Sequence, residues 1–352
     1  MVMRTADDKA AFIPAASRMA ANTLVDLFYA PPRWLPTSHA QTIIPALFAR
    51  RPLVDYRRER WTTPDDDFID LDWLAYPASS AATPPPDAPL LVLFHGLEGN
   101  SDSHYARVLM ATARAFGWHG VVPHFRSCSG PLNLAPRFYH LADSDEVDWV
   151  LRRLHAAHPG PIVVAGVSLG GNVLLRWLGE RGADAAFIAA AAAISTPLDV
   201  HAGGRALSQG FALLYTMNFL KTLKKKALQK LEQYPGLFDR DIMLASRTMY
   251  DYDNVVTAPL HGFRNTDDYW THATTRPLLR EIVVPTLVLN ARNDPFLPST
   301  ALPTRTEVSD AVELDQPEAG GHVGFMTGPF PGRIDWLPRR VFSFFEPFTT
   351  HG

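Results

Sequence analysis

The sequence predicts an α/β fold with a mostly parallel central sheet, helices on both faces and an inserted helical lid. From Phe68 onward, short apolar stretches alternate with helical patterns, and a glycine-flanked serine joins one of these stretches to the next helix. Residues 198–276 interrupt the alternation with helix-rich sequence. We therefore expect one domain over residues 1–352, with the lid at residues 198–276 inside it.

The predicted strands are short and rich in β-branched or aliphatic residues. They cover residues 68–74, 90–94, 120–122, 162–165, 186–194, 283–289 and 312–314. Helical spacing of apolar residues predicts helices at residues 104–116, 146–157 and 169–181. Asp143, followed three residues later by Glu146, predicts a capping box at the start of the second helix. Small residues and prolines at residues 78–88 predict an exposed hairpin loop.

Composition and charge exclude several classes of protein. A net charge of −3 and a pI near 6.5 argue against nucleic acid as a partner. Cys128 is the only cysteine, which excludes an intrachain disulfide and fits a reducing, cytoplasmic location. The N-terminal thirty residues have no signal-peptide layout, and no apolar run approaches the ~20 residues of a membrane span. Histidines and carboxylates do not recur at metal-ligand spacing, so we expect neither a metal nor a cofactor.

One amphipathic helix is predicted inside the lid. Its apolar positions recur every three or four residues and are Leu213, Met217, Leu220, Leu223, Ala227 and Leu231. Its lysines lie at other positions, which favours a solvated face and leaves contact with an anionic lipid surface as the alternative. Aromatic and aliphatic lid residues indicate either an apolar pocket or structural packing: Phe211, Leu214, Tyr215, Phe219 and Tyr250.

The candidate nucleophile is Ser168, in the G-x-S-x-G sequence from Gly166 to Gly170. The serine follows a buried strand and precedes a helix, the context in which a sharp turn exposes a hydroxyl. A side chain at either glycine would collide with the strand or the helix that the turn joins. The pattern therefore predicts covalent catalysis by Ser168.

A serine hydroxyl needs a base and a carboxylate that orients the base. His322 is the candidate base, since it lies in a glycine-rich turn late in the chain, and Asp294 is the candidate acid, at the carboxyl end of a parallel strand. Asp199, after the preceding strand, is the rival acid. The other histidines considered as bases lack this context: His95, His104, His124 and His140.

The oxyanion of a tetrahedral intermediate requires preorganised donors. Leu169 N–H directly follows the nucleophile, and the second donor is expected in the loop after strand 90–94. We assign it to Leu97 N–H, with Gly96 allowing the backbone to approach; an ordinary turn is the alternative.

The chain resembles the YheT-type branch of the α/β-hydrolase superfamily, and in particular its bacterial members. The matching segments occur in order along most of the chain: WLPTSHAQTI (34–43), HGLEGNSDSHY (95–105), FRSCSG (125–130), RFYH (137–140), GVSLGGNVLLRWLGE (166–180), TAPLHGFRNTDDYW (257–270), PTLVLNARNDPF (285–296) and GGHVGF (320–325).

The resemblance implies a serine hydrolase with a helical lid and a triad of Ser168, Asp294 and His322. It suggests carboxylic esters of medium acyl chains, or glycerolipids, as substrates. Ser127 stands where the family usually has glycine, and Asn293 where many members have aspartate. Water as the acyl acceptor is the leading hypothesis. An alcohol acyltransferase, a thioesterase on the same triad and a non-catalytic binding protein are the alternatives.

Overall fold

The computed structural model describes residues 28–76 and 83–349. Most of the N-terminal segment that was considered as a signal peptide, and residues 78–82 of the predicted loop, lie outside these ranges. Within these residues, eight strands form one sheet in the order β1-β2-β4-β3-β5-β6-β7-β8. The strands are β1 Tyr56–Thr62, β2 Phe68–Leu74, β3 Leu90–Phe94, β4 His119–Pro123, β5 Ile162–Val167, β6 Ala190–Ile194, β7 Thr286–Leu289 and β8 Val312–Asp315. From β4 to β8 all neighbours are parallel, which confirms the predicted α/β class.

The edge formed by β1 and β2 is antiparallel. β1 was not predicted, because its sequence YRRERWT is dominated by charge. At this edge Arg58 pairs with Asp72, and Arg60 with Asp70, across the two strands. β2 pairs with β4 and β3 lies between β4 and β5, so the predicted hairpin between β2 and β3 is wrong.

The helices surround the sheet and fill the segment between β6 and β7. They are α1 Ser38–Phe48, α2 His104–Ala115, α3 Ser144–Ala157, α4 Leu169–Arg181, α5 Val200–Leu207, α6 Leu213–Gln233, α7 Arg240–Ala245, α8 Met249–Tyr252, α9 Ala258–Leu260, α10 Thr266–Ala273 and α11 Trp336–Phe345. Within residues 28–76 and 83–349, none of them has the length and apolar content that a membrane crossing requires.

The predicted capping box at the start of α3 is wrong. Asp143 occupies the N-cap position, but its side chain makes no capping hydrogen bond. Its carboxylate binds Arg137 at 2.5 Å, and the Glu146 carboxylate binds Arg126 at 2.5 Å. Two arginines have therefore drawn both carboxylates away from the backbone N–H groups.

Two apolar layers lie on opposite faces of the sheet. Alternate residues of β3 point to opposite faces. Val92 joins one layer, together with α3 and α4, whereas Leu91 joins the other, together with α2 and α11. Because β3, β5, β6, β7 and β8 run parallel, their carboxyl ends lie at the same edge of the sheet. The loops after β3, β5, β7 and β8 meet at this edge.

The helical insertion is the segment from α5 to α10. Its longest helix, α6, has the predicted amphipathic pattern only in part. Met217, expected to be buried, is 62% exposed, whereas Lys230, expected on a solvated face, is fully buried. Lys230 Nζ donates to the carbonyl oxygens of Asn133 and Ala135 at 2.7 and 2.9 Å. The lysine side chain was misassigned because its carbonyl partners lie about a hundred residues earlier in the chain.

Candidate active site

Ser168 lies at the turn from β5 to α4, with φ 54° and ψ −115°. Such a positive φ is unfavourable for a residue with a side chain. The flanking glycines allow this turn: a Cβ at Gly170 would lie 2.3 Å from Phe94 O, and one at Gly166 would lie 2.5 Å from Gly170 O. No real Cβ makes contacts this short, so both positions require glycine.

His322 reaches Ser168 from the loop after β8. Its Nε2 lies 3.0 Å from Ser168 Oγ, and its Nδ1 lies 2.8 Å from Asp294 Oδ2. The carboxylate can only accept, so Nδ1 carries the proton and Nε2 accepts from the serine hydroxyl. The imidazole also stacks on Phe296, with ring centroids 4.0 Å apart. The structure thus brings the three predicted residues together in one hydrogen-bonded chain.

The rival acid, Asp199, has a different role. Its carboxylate accepts from Ala202 N at 2.9 Å and caps helix α5. A side chain committed to a helix N-terminus is not the partner of His322, whose Nδ1 is held by Asp294.

The other candidate histidines serve the fold. His95 bonds Gly96 O and Phe125 N, and burial lowers its pKa to about 3. His104 bonds Val323 O, and burial lowers its pKa to about 4. His124 pairs with Asp72, at a distance of 2.9 Å. His140 lies in the cavity wall and accepts from Ala142 N, and burial lowers its pKa well below the ordinary value.

The turn after β3 lies beside Ser168, because Phe94 of β3 pairs with Gly166 of β5. A Cβ at Gly96 would lie 3.3 Å from Ser168 Cβ. Gly96 N donates to Tyr105 OH, and Glu98 N donates to Tyr139 OH, both at 2.8 Å. Leu97 N, between them, has no acceptor anywhere in the described chain.

Helix α1 supports the His322 loop, and sequence reasoning assigned it no role. Thr42 Oγ1 accepts from His322 N at 2.9 Å, and Gln41 Oε1 accepts from Gly320 N at 2.9 Å. Asn293 donates to Gln41 Oε1 and accepts from Gly321 N. The only signal in the sequence was the match of WLPTSHAQTI to the family. Asn293, which stands where many family members have aspartate, thus contributes an amide that bridges α1 and the loop of His322.

The second substituted position is a turn residue. Ser127 has a φ of 66°, a conformation in which glycine carries no strain. Its hydroxyl donates to Asn133 Oδ1 at 2.7 Å and accepts from Asn133 N at 3.1 Å. These hydrogen bonds hold the side chain in place despite the unfavourable backbone angle.

A cavity lies between the sheet edge and the insertion, and its volume of about 1120 Å³ includes the open solvent at its mouth. Ser168 and His322 lie in its wall. Most of the remaining wall is apolar and includes Leu97, Phe138, Leu141, Val200, Leu207, Phe219, Leu223, Met249 and Trp270. Of the five lid residues considered for a pocket, Phe219 lines it, whereas Phe211, Leu214 and Tyr250 are exposed and Tyr215 packs against Phe296.

Polar groups interrupt this wall at a few places. Asp253 begins a π-helical turn and is buried, and this burial raises its pKa to about 6. Its two oxygens accept from Thr257 Oγ1 and Trp270 Nε1 at 2.6 and 2.8 Å. Across the two described stretches, no group of three or more histidine, cysteine or carboxylate side chains is arranged to hold a metal ion.

Comparison with known proteins places this geometry in a family. The alpha/beta hydrolase fold model matches residues 89–329. YheT of Escherichia coli (strain K12), a candidate esterase by name, is 35% identical over 316 residues, which cover 89% of this chain and 91% of that protein. Phospholipase ABHD3 of Mus musculus is 30% identical over 327 residues, which cover 92% and 79% of the two chains.

A solved structure supports the fold. The Pyrococcus furiosus esterase Pf2001 superposes with a TM-score of 0.53 at 16% identity, covering 84% of this chain and 94% of its own. At such low identity the similarity extends to the fold alone. The chain belongs to the α/β-hydrolase family, and within it to the YheT-like branch.

Proposed function

We propose that this protein is a serine hydrolase that cleaves carboxylic esters, with short- to medium-chain acyl or lipid esters as substrates. The observation that carries the proposal is the hydrogen-bonded chain from Asp294 through His322 to Ser168, with distances of 2.8 and 3.0 Å. Two relatives, one named as a candidate esterase and one as a phospholipase, support the same class of activity. This class is a carboxylester hydrolase that acts on a small molecule.

In the first half-reaction, Ser168 Oγ attacks the ester carbonyl carbon while His322 Nε2 takes the hydroxyl proton. Asp294 stabilises the imidazolium through Nδ1–H. When the tetrahedral intermediate collapses, His322 returns that proton to the leaving alkoxide, and an alcohol departs from the acyl-enzyme. Water then adds to the acyl-enzyme with His322 as its base, which releases the acid and restores Ser168.

Leu97 N–H and Leu169 N–H are the proposed oxyanion donors. The N–H groups of the residues on either side of Leu97 donate to tyrosine hydroxyls. The N–H of Leu97 itself has no acceptor among the described residues, so it is available to a substrate. Leu169 is the first residue of α4, where backbone N–H groups have no partner within the helix. Each donor lies next to the nucleophile or to the turn that packs against it, so both are placed to bind the same developing charge.

The cavity supports an acyl chain as the part of the substrate that is bound. Its wall is predominantly apolar and meets Ser168 at one side. Burial of each methylene of an acyl chain contributes about 0.8 kcal/mol. We therefore propose that acyl length is read by the cavity beneath the insertion, which acts as a lid.

We further propose peripheral contact of this lid with a lipid surface. Phe211, Leu214 and Met217 are about half or more exposed, and Lys221 follows on the same face of α6. An exposed apolar face bordered by lysine is typical of helices that bind anionic lipid. For the compartment, the single, unpaired cysteine supports a cytoplasmic location.

The decisive experiment is intact-mass analysis after treatment with a fluorophosphonate, followed by peptide mapping. We expect one adduct, on Ser168, and loss of p-nitrophenyl ester turnover in Ser168→Ala. Unchanged turnover in Ser168→Ala would refute the nucleophile. Folded protein without adduct or turnover would favour a binding protein.

Product analysis tests the acyl acceptor and the leaving group. With a graded series of p-nitrophenyl esters and an added alcohol, we expect free acid as the main product. Ester formation in preference to acid would instead identify an acyltransferase, and a strong preference for matched thioesters would identify a thioesterase.

A further inference from the structure

Glu98 directly follows the proposed oxyanion donor Leu97 and has a φ of 57°. Two contacts with Tyr139 hold it there. Glu98 N donates to Tyr139 OH at 2.8 Å, and Tyr139 OH donates to Glu98 Oε1 at 3.0 Å. Both the backbone and the side chain of Glu98 are thus attached to one buried tyrosine, so the position of the carboxylate and that of the turn are linked.

The same carboxylate oxygen receives a second contact, from the insertion. Lys226 of α6 donates from Nζ to Glu98 Oε1 at 2.7 Å. The two side chains are only 22% and 11% exposed, and both line the cavity that contains Ser168. An ion pair sheltered from water is stronger than one on the surface, and loss of one partner leaves the other charge poorly solvated.

We propose that Lys226 and Glu98 form a positioning pair that completes the oxyanion turn when the insertion is packed against it. This inference rests on the proposed function. Without the ammonium group, the Glu98 carboxylate gains by turning toward water, and this rotation pulls on the backbone that carries Leu97 N–H. Lys226 therefore acts through Glu98 on the transition state, and it belongs to the insertion rather than to the sheet edge.

The first test compares Lys226→Met, Lys226→Arg and Lys225→Met on a soluble p-nitrophenyl ester. Lys225 is the neighbouring, exposed lysine of α6 and serves as the matched control. We expect kcat to fall about 10- to 100-fold in Lys226→Met with KM within about twofold, because misplacement of a reacting group lowers the rate of the chemical step. Lys226→Arg recovers most of kcat, and Lys225→Met matches the parent.

A trifluoromethyl ketone, which forms a tetrahedral adduct with the serine, supplies a second readout. Its inhibition constant rises in parallel with the loss of kcat if the oxyanion turn is displaced. Glu98→Gln keeps one acceptor oxygen, replaces the other oxygen with an NH2 group and removes the charge, so kcat falls there too. In the double variant Glu98→Gln/Lys226→Met we expect no loss beyond that of the more impaired single variant.

Two results would overturn the inference. One is a raised KM at unchanged kcat in Lys226→Met, since the lysine would then only shape the cavity. The other is a double variant whose loss equals the product of the two single losses. Failure of the proposed function is detected separately, because it is recognised by turnover that persists in Ser168→Ala or by a fluorophosphonate adduct at another residue.

Discussion

Ser168 occupies a backbone conformation that its own side chain disfavours, with φ 54° and ψ −115°. Strain of this kind costs about 1 to 3 kcal/mol per residue. Glycine adopts the same angles freely, although it gains entropy in the unfolded chain. The proposed nucleophile is therefore held in place at the expense of stability.

We expect Ser168→Gly to be more stable than Ser168→Ala by about 1 kcal/mol, although both variants lack turnover. Urea unfolding followed by circular dichroism gives the two free energies of unfolding. Equal values would mean that the surrounding helix and strand, and not the side chain, determine the cost of the turn.

Asp294 and Asp199 allow the two acid assignments to be separated by measurement. Asp294→Asn leaves His322 without its orienting carboxylate, so we expect kcat to fall about 10³- to 10⁴-fold. Asp199→Ala removes the cap of α5, so we expect about 1 kcal/mol less stability and an activity near that of the parent. Kinetics and urea unfolding on both proteins check this. The reverse pattern would exchange the two roles.

At the scale of elements, sequence periodicity predicted the strands whose two faces are both buried. β3 and β5 are continuous apolar runs, and their predicted starts agree with the structure. β6 begins four residues later than predicted and β7 three residues later, the latter because Pro285 precedes it. β1 was missed since an edge strand is specified by its cross-strand partners, and those are not visible in a local pattern.

The surroundings of the lysines on α6 could likewise not be predicted from the local sequence pattern. A buried lysine is stable only where acceptors surround it, and the acceptors of Lys230 come from the distant loop after β4. The helix itself could be predicted from spacing. The way its lysines divide among carbonyl oxygens, a carboxylate and solvent required the tertiary structure.

Lys230 has a consequence for stability against pH. Burial lowers its pKa in the folded state to about 8, whereas an unfolded lysine titrates near ~10.4. Between these values the unfolded chain binds more protons, so stability attributable to Lys230 rises with pH. We expect the unfolding free energy of the parent, minus that of Lys230→Met, to increase from pH 8 to pH 10. Parallel curves would contradict this, and Lys225→Met provides the control.

At the scale of the whole molecule, Arg126 joins three parts of the fold. From the loop after β4, its buried guanidinium contacts Asp65 and Asp67 between β1 and β2 and Glu146 of α3. These residues are tens of positions apart, so no sequence pattern predicted the network. Through Glu146 the network accounts for half of the missing capping box at α3, and Arg137 holds the other half, Asp143.

We expect Arg126→Met to lose roughly 3 to 5 kcal/mol of stability, because it strands buried carboxylates without their cation. Arg152→Met, which breaks the exposed pair with Asp148, is expected to lose less than about 0.5 kcal/mol. Urea unfolding of the two variants makes the comparison. Similar losses would show that water or a rearranged side chain replaces the guanidinium.

The lone cysteine gains a use from its position. Cys128 is buried, its Sγ lies 3.8 Å from Lys226 Nζ, and burial raises the pKa of its thiol to about 12. Only the thiolate form of a cysteine attacks alkylating reagents, so the buried Cys128 thiol is expected to be inert while α6 covers it. We expect a separation of α6 from the core to expose the sulfur to reagent. The rate of iodoacetamide incorporation into the unmodified protein is therefore expected to measure how often the insertion opens.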